Sequence, residues 1–165
     1  MRCFLSLLFS LMLCLSSCGV YSFTGANISG KTLNVHLLEN RSVNVVPTLS
    51  SALTEKIRSR IISQTGLAAV NSADADYDID GAITGYTVAV SGVQNTQQAS
   101  LNRLTITVDI TFTNRLDEKA SFHQSFSRFA DFPATQTLQA VEAGLIDEIG
   151  GQLADDIFTK AFVNC

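Results

Sequence analysis

The clearest hydrophobic pattern in the chain is strict alternation over residues 104–113. Leu104, Ile106, Val108, Ile110 and Phe112 are apolar, and the intervening Thr105, Thr107, Asp109, Thr111 and Thr113 are polar. Period two in β-formers predicts a strand buried on one side only. A polar turn, Asn114 to Lys119, leads into a return strand carrying Phe122, Phe126 and Phe129, so the pair reads as an antiparallel hairpin. Upstream, Tyr77, Ile79, Gly81 and Ile83 alternate with Asp78, Asp80 and Ala82. That strand continues past Gly85, a bulge or bend, into Tyr86, Val88 and Val90. Ser91 to Ser100 is rich in Gln, Asn and Ser and reads as a hairpin loop. Lys31 to Leu38 predicts a further strand with Leu33, Val35 and Leu37 on one face; Val43 to Val46 reads as extended, and Leu67 to Val70 as a short strand.

Two segments change the period. Leu49, Leu53, Ile57 and Ile61 recur every four residues after Pro47, with Ala52 and Arg60 adjoining, which predicts an amphipathic helix. Thr48 or Ser50 is the expected cap, Gly66 the expected C′ residue, and Arg58 and Arg60 suit the dipole at its end. Leu138, Val141, Leu145, Ile149, Leu153, Ile157 and Ala161, widened by Ile146 and Phe158, trace a longer second helix. Gly144, Gly150 and Gly151 each lower its intrinsic stability by about 1 kcal/mol relative to alanine, and close packing against the sheet is the expected reason. The element order β-α-β-β-β-β-α predicts one α+β two-layer sandwich over residues 31–165. Its sheet is expected to be mostly antiparallel and four-stranded, with a short edge strand and both helices on one face.

The first residues follow a different rule. Met1-Arg2 is followed by an apolar run, Phe4 to Leu15, too short for a permanent membrane span and placed as an export signal. It ends in Leu15-Ser16-Ser17-Cys18, a bacterial lipobox, in which the cysteine becomes diacylated and the chain is cut before it. This predicts a signal peptide over 1–17, a lipidated Cys18 bearing diacylglycerol and an N-acyl chain, and a small polar tether over 18–30. Several acyl chains on one residue make a stable anchor. Of four cysteines, Cys3 and Cys14 leave with the signal and Cys18 carries lipid, so only Cys165 is left as a thiol. An intramolecular disulfide is therefore excluded in the mature chain. A net charge of −4 argues against nucleic acid and against a polybasic grip on lipid.

Catalytic chemistry finds little purchase. His36 and His123 are the two histidines, and no nucleophile or carboxylate arrangement is implied around either. Asp74, Asp76, Asp78 and Asp80 partly mimic the spacing of a calcium loop, but the loop's closing position falls on Gly85, and a wet strand face is the simpler reading. No metal, no cofactor beyond the acyl chains and no enzyme activity are expected. Arg103, Arg115, Lys119 and Arg128 are placed near the ends of the hairpin, a local basic patch suited to anionic headgroups or an acidic partner loop.

In order, CGVYSFTGA, VVPTLSSALTEKIRSRIISQTGL, DYDIDGAITGYTV, NRLTITVDITFTN and LIDEIGGQLADDIF resemble the LptE family, in the branch found in Bacteroidetes-type bacteria. The resemblance runs over essentially the whole mature chain. It implies an α+β sandwich of a four-stranded sheet and two helices. It also implies an outer-membrane lipoprotein, facing the periplasm and barrel lumen, that plugs an LptD-type β-barrel and helps place lipopolysaccharide in the outer leaflet. Gly19 and the absence of an acidic run after Cys18 fit that location. The start of the domain also resembles periplasmic lipoproteins that regulate cell-wall synthases or build secretion pores. The threonine-faced hairpin separates the two, because a plug needs a polar surface and a pore former a lipid-facing one. The four basic residues are matched to lipopolysaccharide phosphates by charge and placement alone.

Overall fold

A computed structural model describes residues 28–44, 46–93 and 99–163. The stretch expected to be a signal peptide, Cys18 with its expected lipidation, most of the expected tether and Cys165 lie outside the described residues. Six strands and two helices follow in the order β1 (Thr32–Val35), β2 (Glu39–Asn40), α1 (Leu49–Thr65), β3 (Ala68–Ala69), β4 (Tyr77–Val93), β5 (Ala99–Asn114), β6 (Phe122–Pro133) and α2 (Leu138–Phe158). A 3₁₀ turn at Glu118–Ala120 joins β5 to β6, and a π turn at Thr159–Val163 ends the last helix.

The class is α+β as expected, but the sheet is mixed and has more strands than the sequence suggested. Its order is β3-β1-β4-β5-β6, with β2 beside β4. β4, β5 and β6 are antiparallel, whereas β1 pairs in parallel with β3 and β4, and β2 pairs in parallel with β4. Helix α1 is the crossover between β1 and β3, and such a helix lets consecutive strands run parallel.

β5 is the spine. Leu104, Ile106, Val108, Ile110 and Phe112 are all fully buried, and helices α1 and α2 supply Leu53, Ile57, Ile61, Ile149, Leu153 and Ile157 against them. The α1 stripe ends where Gly66 adopts φ 69°, and its N–H donates to Ile62 O at 2.8 Å. Neither expected cap side chain bonds the first turn; Thr48 sits at the N-cap without a side-chain hydrogen bond. Arg58 and Arg60 do not serve the helix end. Arg58 donates to Val35 O at 2.9 Å, and Arg60 pairs with Asp155 on α2 at 2.5 Å. Gly150 is a close-packing glycine, but against α1: a Cβ there would lie 3.1 Å from Leu53 Cδ2. Gly144 and Gly151 have open space where a Cβ would stand.

The expected face of the first strand changes halfway. Leu33 and Val35 are buried, but Leu37 is 65% exposed and Leu38 fully buried. Val35 pairs with Ile79 and Glu39 with Ala82, so the β1–β2 side holds one more residue than β4 over this span. Such an extra residue flips the alternation. Leu38 then points inward, and its N–H donates to Thr54 Oγ1 at 3.0 Å. The extended reading of Val43 to Val46 does not hold at its start: residues 42–44 form a bend with Val43 fully exposed, and Val45 lies outside the described residues. The bulge near Gly85 is present, and both long strands run past the expected loop limits to Val93 and from Ala99.

Candidate functional site

Both helices lie on one side of the sheet, which leaves the other side open. Because β5 alternates, its outward residues are Thr105, Thr107, Asp109, Thr111 and Thr113. Cross-strand pairing sets His123, Ser125, Ser127 and Phe129 beside them on β6, and Asp78 and Asp80 on β4. Short hydrogen bonds knit this surface together. Thr107 Oγ1 lies 2.9 Å from Ser127 Oγ, and Thr111 Oγ1 lies 2.9 Å from His123 Nδ1. A hollow of about 550 Å³ on the same side is lined by His36, Glu39, Arg41, Asp80, Asp109, Thr111 and His123. The surface is hydroxylated and neutral-to-acidic, and it suits contact with water or a polar wall.

The aspartates that mimic a calcium loop have individual structural partners. Asp76 Oδ2 accepts from Lys31 N–H at 2.7 Å, Thr32 N–H at 3.0 Å and Thr32 Oγ1 at 2.9 Å, so it clasps the entry to β1. Those backbone donors hold its carboxyl below the usual range. Asp78 accepts from Asn34 Nδ2 at 2.7 Å and lies 3.1 Å from His36 Nε2, while Asp80 accepts from Gly81 N–H at 2.8 Å. The chain before β1 is held at the same end. Ile28 packs on the core and Gly30 N–H donates to the Tyr77 hydroxyl at 3.0 Å, so the last residues of the expected tether are docked. A Cβ at Gly30 would meet the Tyr77 ring at 2.4 Å. Tyr86 makes a similar tie to α2 through Glu142, and burial followed by that bond raises its pKa.

The four basic residues do not form one patch. Arg103 is on the open face, where Asp131 Oδ1 and Oδ2 accept from its Nε and Nη2 at 2.7 and 2.9 Å; its guanidinium also lies 3.6 Å from the Phe129 ring centre. Arg128 is on the opposite, helix-bearing side and donates twice to Asp156 of α2 at 2.5 and 2.6 Å. Arg115 and Lys119 both belong to the β5–β6 turn, Arg115 lining a hollow with His36, Arg58 and Asp78, and no hydrogen bond or ion pair holds either side chain among the described residues. Phe129 of the return strand is 47% exposed, because it falls opposite Thr105 on the open face; Phe126, Ala130 and Phe132 fill the core. No group of three or more metal-capable side chains occurs among the described residues.

Asp131 also has a lowered pKa, chiefly from its bond to Arg103. With Asp76 it gives a testable acid limb. Both carboxyls are depressed in the fold, so the stability they contribute is complete above the unfolded value and is lost as pH falls through the folded one. The melting temperature is expected to be level between about pH 7 and 5 and to fall below about pH 4. Asp76→Asn is expected to lower it at neutral pH and flatten that limb; an unchanged acid limb in this variant would remove Asp76 from the account.

A family model described as LptE, lipopolysaccharide-assembly, matches residues 30–161. No curated protein matches. Among solved structures, the fold is similar to a minor lipoprotein of Acinetobacter baumannii, at 18% identity and TM-score 0.53 over 81% of this chain and 93% of that one. It is similar to the rare lipoprotein B of Shewanella oneidensis, at 16% identity and TM-score 0.53 over 78% and 92%. A hypothetical protein of Chlamydia trachomatis is similar at 11% identity and TM-score 0.55 over 82% and 98%. At such identities the structures speak for the fold alone. The family model, by contrast, spans the whole sheet and both helices, and the chain belongs to the LptE lipopolysaccharide-assembly family.

Proposed function

We propose that this protein is an outer-membrane lipoprotein, anchored through acyl chains on Cys18, that plugs and helps assemble an LptD-type β-barrel and thereby aids insertion of lipopolysaccharide into the outer leaflet. The observation that carries this reading is the open sheet face. Long strands present Thr105, Thr107, Asp109, Thr111, Ser125 and Ser127 where a packed domain would place apolar side chains. The lumen of a large outer-membrane barrel is polar and wet, and such a face matches it without burying unpaired charge. The test is affinity purification of the lipidated protein from detergent-solubilised outer membranes. A large barrel recovered in equal amount supports the plug. Recovery of a cell-wall synthase or a secretion-pore ring without a barrel overturns it.

Lipopolysaccharide phosphates are proposed to meet the β5–β6 turn. Arg103 and Arg128 hold Asp131 and Asp156, so their charge is compensated; Arg115 and Lys119 carry theirs unpaired. Arg115→Glu with Lys119→Glu is expected to weaken lipopolysaccharide retention about tenfold, as two lost charge-assisted contacts would. The melting temperature is expected to stay within a few degrees. Unchanged retention would remove the turn as a headgroup site and leave the barrel test standing.

A further inference from the structure

β4 is covered on its β1–β2 side only as far as Ile83. From Gly85 onward that edge has no strand partner among the described residues. Thr84 to Val93 reads TGYTVAVSGV, ten residues with no charge and no proline. Exposed edges are ordinarily guarded by lysine, proline, an inward charge or a bulge, because a bare edge templates another strand. On β4, register shifts at Ile83/Gly85 and Val90/Gly92 bracket the edge and leave Gly85 to Val90 regular between them. Here Val88 and Val90 stand 44% and 59% exposed instead.

The direction of the free backbone groups follows from the neighbouring bonds. Ile79 O and Ile83 O accept from His36 and Arg41, so they face away from β5. Past the bulge, Tyr86 O takes that direction and accepts from Asn44 Nδ2 at 3.0 Å. Alternation then turns the N–H and C=O of Val88 and Val90 outward, while those of Thr87 and Ala89 serve β5; Ser91 falls at the register shift between Val90 and Gly92.

We propose that this edge pairs antiparallel with the same edge of a second copy, about a two-fold axis at Ala89. The sequence is nearly symmetric about that residue. Val88 falls opposite Val90 of the second copy, Thr87 opposite Ser91, and Ala89 opposite itself. Between Tyr86, whose O is taken by Asn44, and the register shift after Val90, the outward-facing residues Val88 and Val90 therefore meet each other, and each Val88–Val90 pair exchanges two hydrogen bonds. Ala89 takes the position where the two chains approach most closely and where a small side chain fits. Such a contact is isologous and closes at two copies. The chain's own segment 18–27 is a poor occupant. It departs from Ile28, beside Tyr77, and Val88 lies roughly 36 Å further along β4 at 3.3 Å per residue. Fully extended, that segment spans at most about 36 Å, enough to reach the edge and not to lie along it. The pairing does not rest on the plug reading.

The test uses the full chain purified in detergent. Sedimentation velocity is expected to give twice the monomer protein mass, and Val90→Lys to return it to monomer with an unchanged circular dichroism spectrum. In a Cys165→Ser background, Ala89→Cys is expected to form an interchain disulfide on mild oxidation, because the axis brings the two thiols into bonding range. Thr87→Cys, which faces Ser91, is expected to form none. Monomer mass for the unsubstituted chain, equal disulfide yield at both positions, or cross-linking of Ala89→Cys to a different protein alone would overturn the proposal. Should Val90→Lys fail to fold, the cysteine pair decides.

Discussion

Phe112→Ala is expected to lower stability by about 3–5 kcal/mol and the melting temperature by roughly 10–20 °C. The ring is fully buried at the end of β5, with ring centres of Tyr77, Phe122 and Phe162 at 6.0, 5.4 and 5.5 Å. Phe162 in turn stacks on Phe158 at 5.9 Å. Phe112 thus ties β4 and β6 to the π turn that closes α2. Each aromatic contact adds about 0.5–1.5 kcal/mol beyond the area buried. Phe129→Ala is the control. That ring is half-exposed and lies under the Arg103 guanidinium, so its loss is expected to cost about 1 kcal/mol or less. Thermal melts of the two variants, compared with the parent chain, check both. A shift of only a few degrees for Phe112→Ala would mean that this cluster is not the core it is taken for.

The same contrast shows what was legible in the residues. β5 was readable over residues 104–113 because one face is buried along that stretch and the other is wet, so each residue type reports its side; its start at Ala99 fell inside the stretch read as a loop. The two helices were readable for the same reason, and Gly66 because an αL position selects glycine. Legibility failed where the signal was too short or came from another strand. β2 has two residues, which carry no period; β3 lies within the short strand read over Leu67 to Val70, but nothing local announces that either pairs in parallel. The extra residue between Val35 and Glu39 moves Leu37 outward and Leu38 inward, a one-residue change that an alternating pattern cannot register. Phe129 follows Phe126 at an odd spacing, and its place opposite Thr105 decides its side.

The basic residues failed as a cluster for a related reason. Their charge is visible in sequence, but their partners are 28 residues away in each case, at Asp131 for Arg103 and Asp156 for Arg128. Arg103 and Arg128 also differ by an odd number of steps across the register, which puts them on opposite sides of the sheet. The open face itself was visible in the threonines of β5. Its width was not, since β6 brings Ser125 and Ser127, and β4 brings Asp78 and Asp80, only through pairing.

Cys18→Ala is expected to move the protein from the membrane pellet to the soluble fraction almost completely. Acyl burial contributes about 0.8 kcal/mol per CH₂; a single chain holds marginally and reversibly, while two or more hold firmly. Alanine offers no thiol for the diacylglycerol, and the cleavage that exposes the amino group for the last chain follows lipidation, so all chains are lost together. The remainder of the molecule has little with which to compensate. No helix among the described residues is long and apolar enough to cross a membrane. The net charge of −4 opposes retention on anionic lipid. A barrel that grips the domain would retain the variant by protein contacts, so the measurement belongs in cells depleted of the barrel, with carbonate-washed membranes compared by immunoblot. Soluble Cys18→Ala beside pelleted parent chain would support the acyl anchor. A variant still in the pellet under those conditions would remove the lipobox argument, and with it the placement of the β5–β6 turn near the bilayer. That placement follows from the tether alone: the ten steps from Cys18 to Ile28 keep the domain's Tyr77 end, where Arg115 N–H bonds Asp76 O at 3.0 Å, within about 36 Å of the lipid.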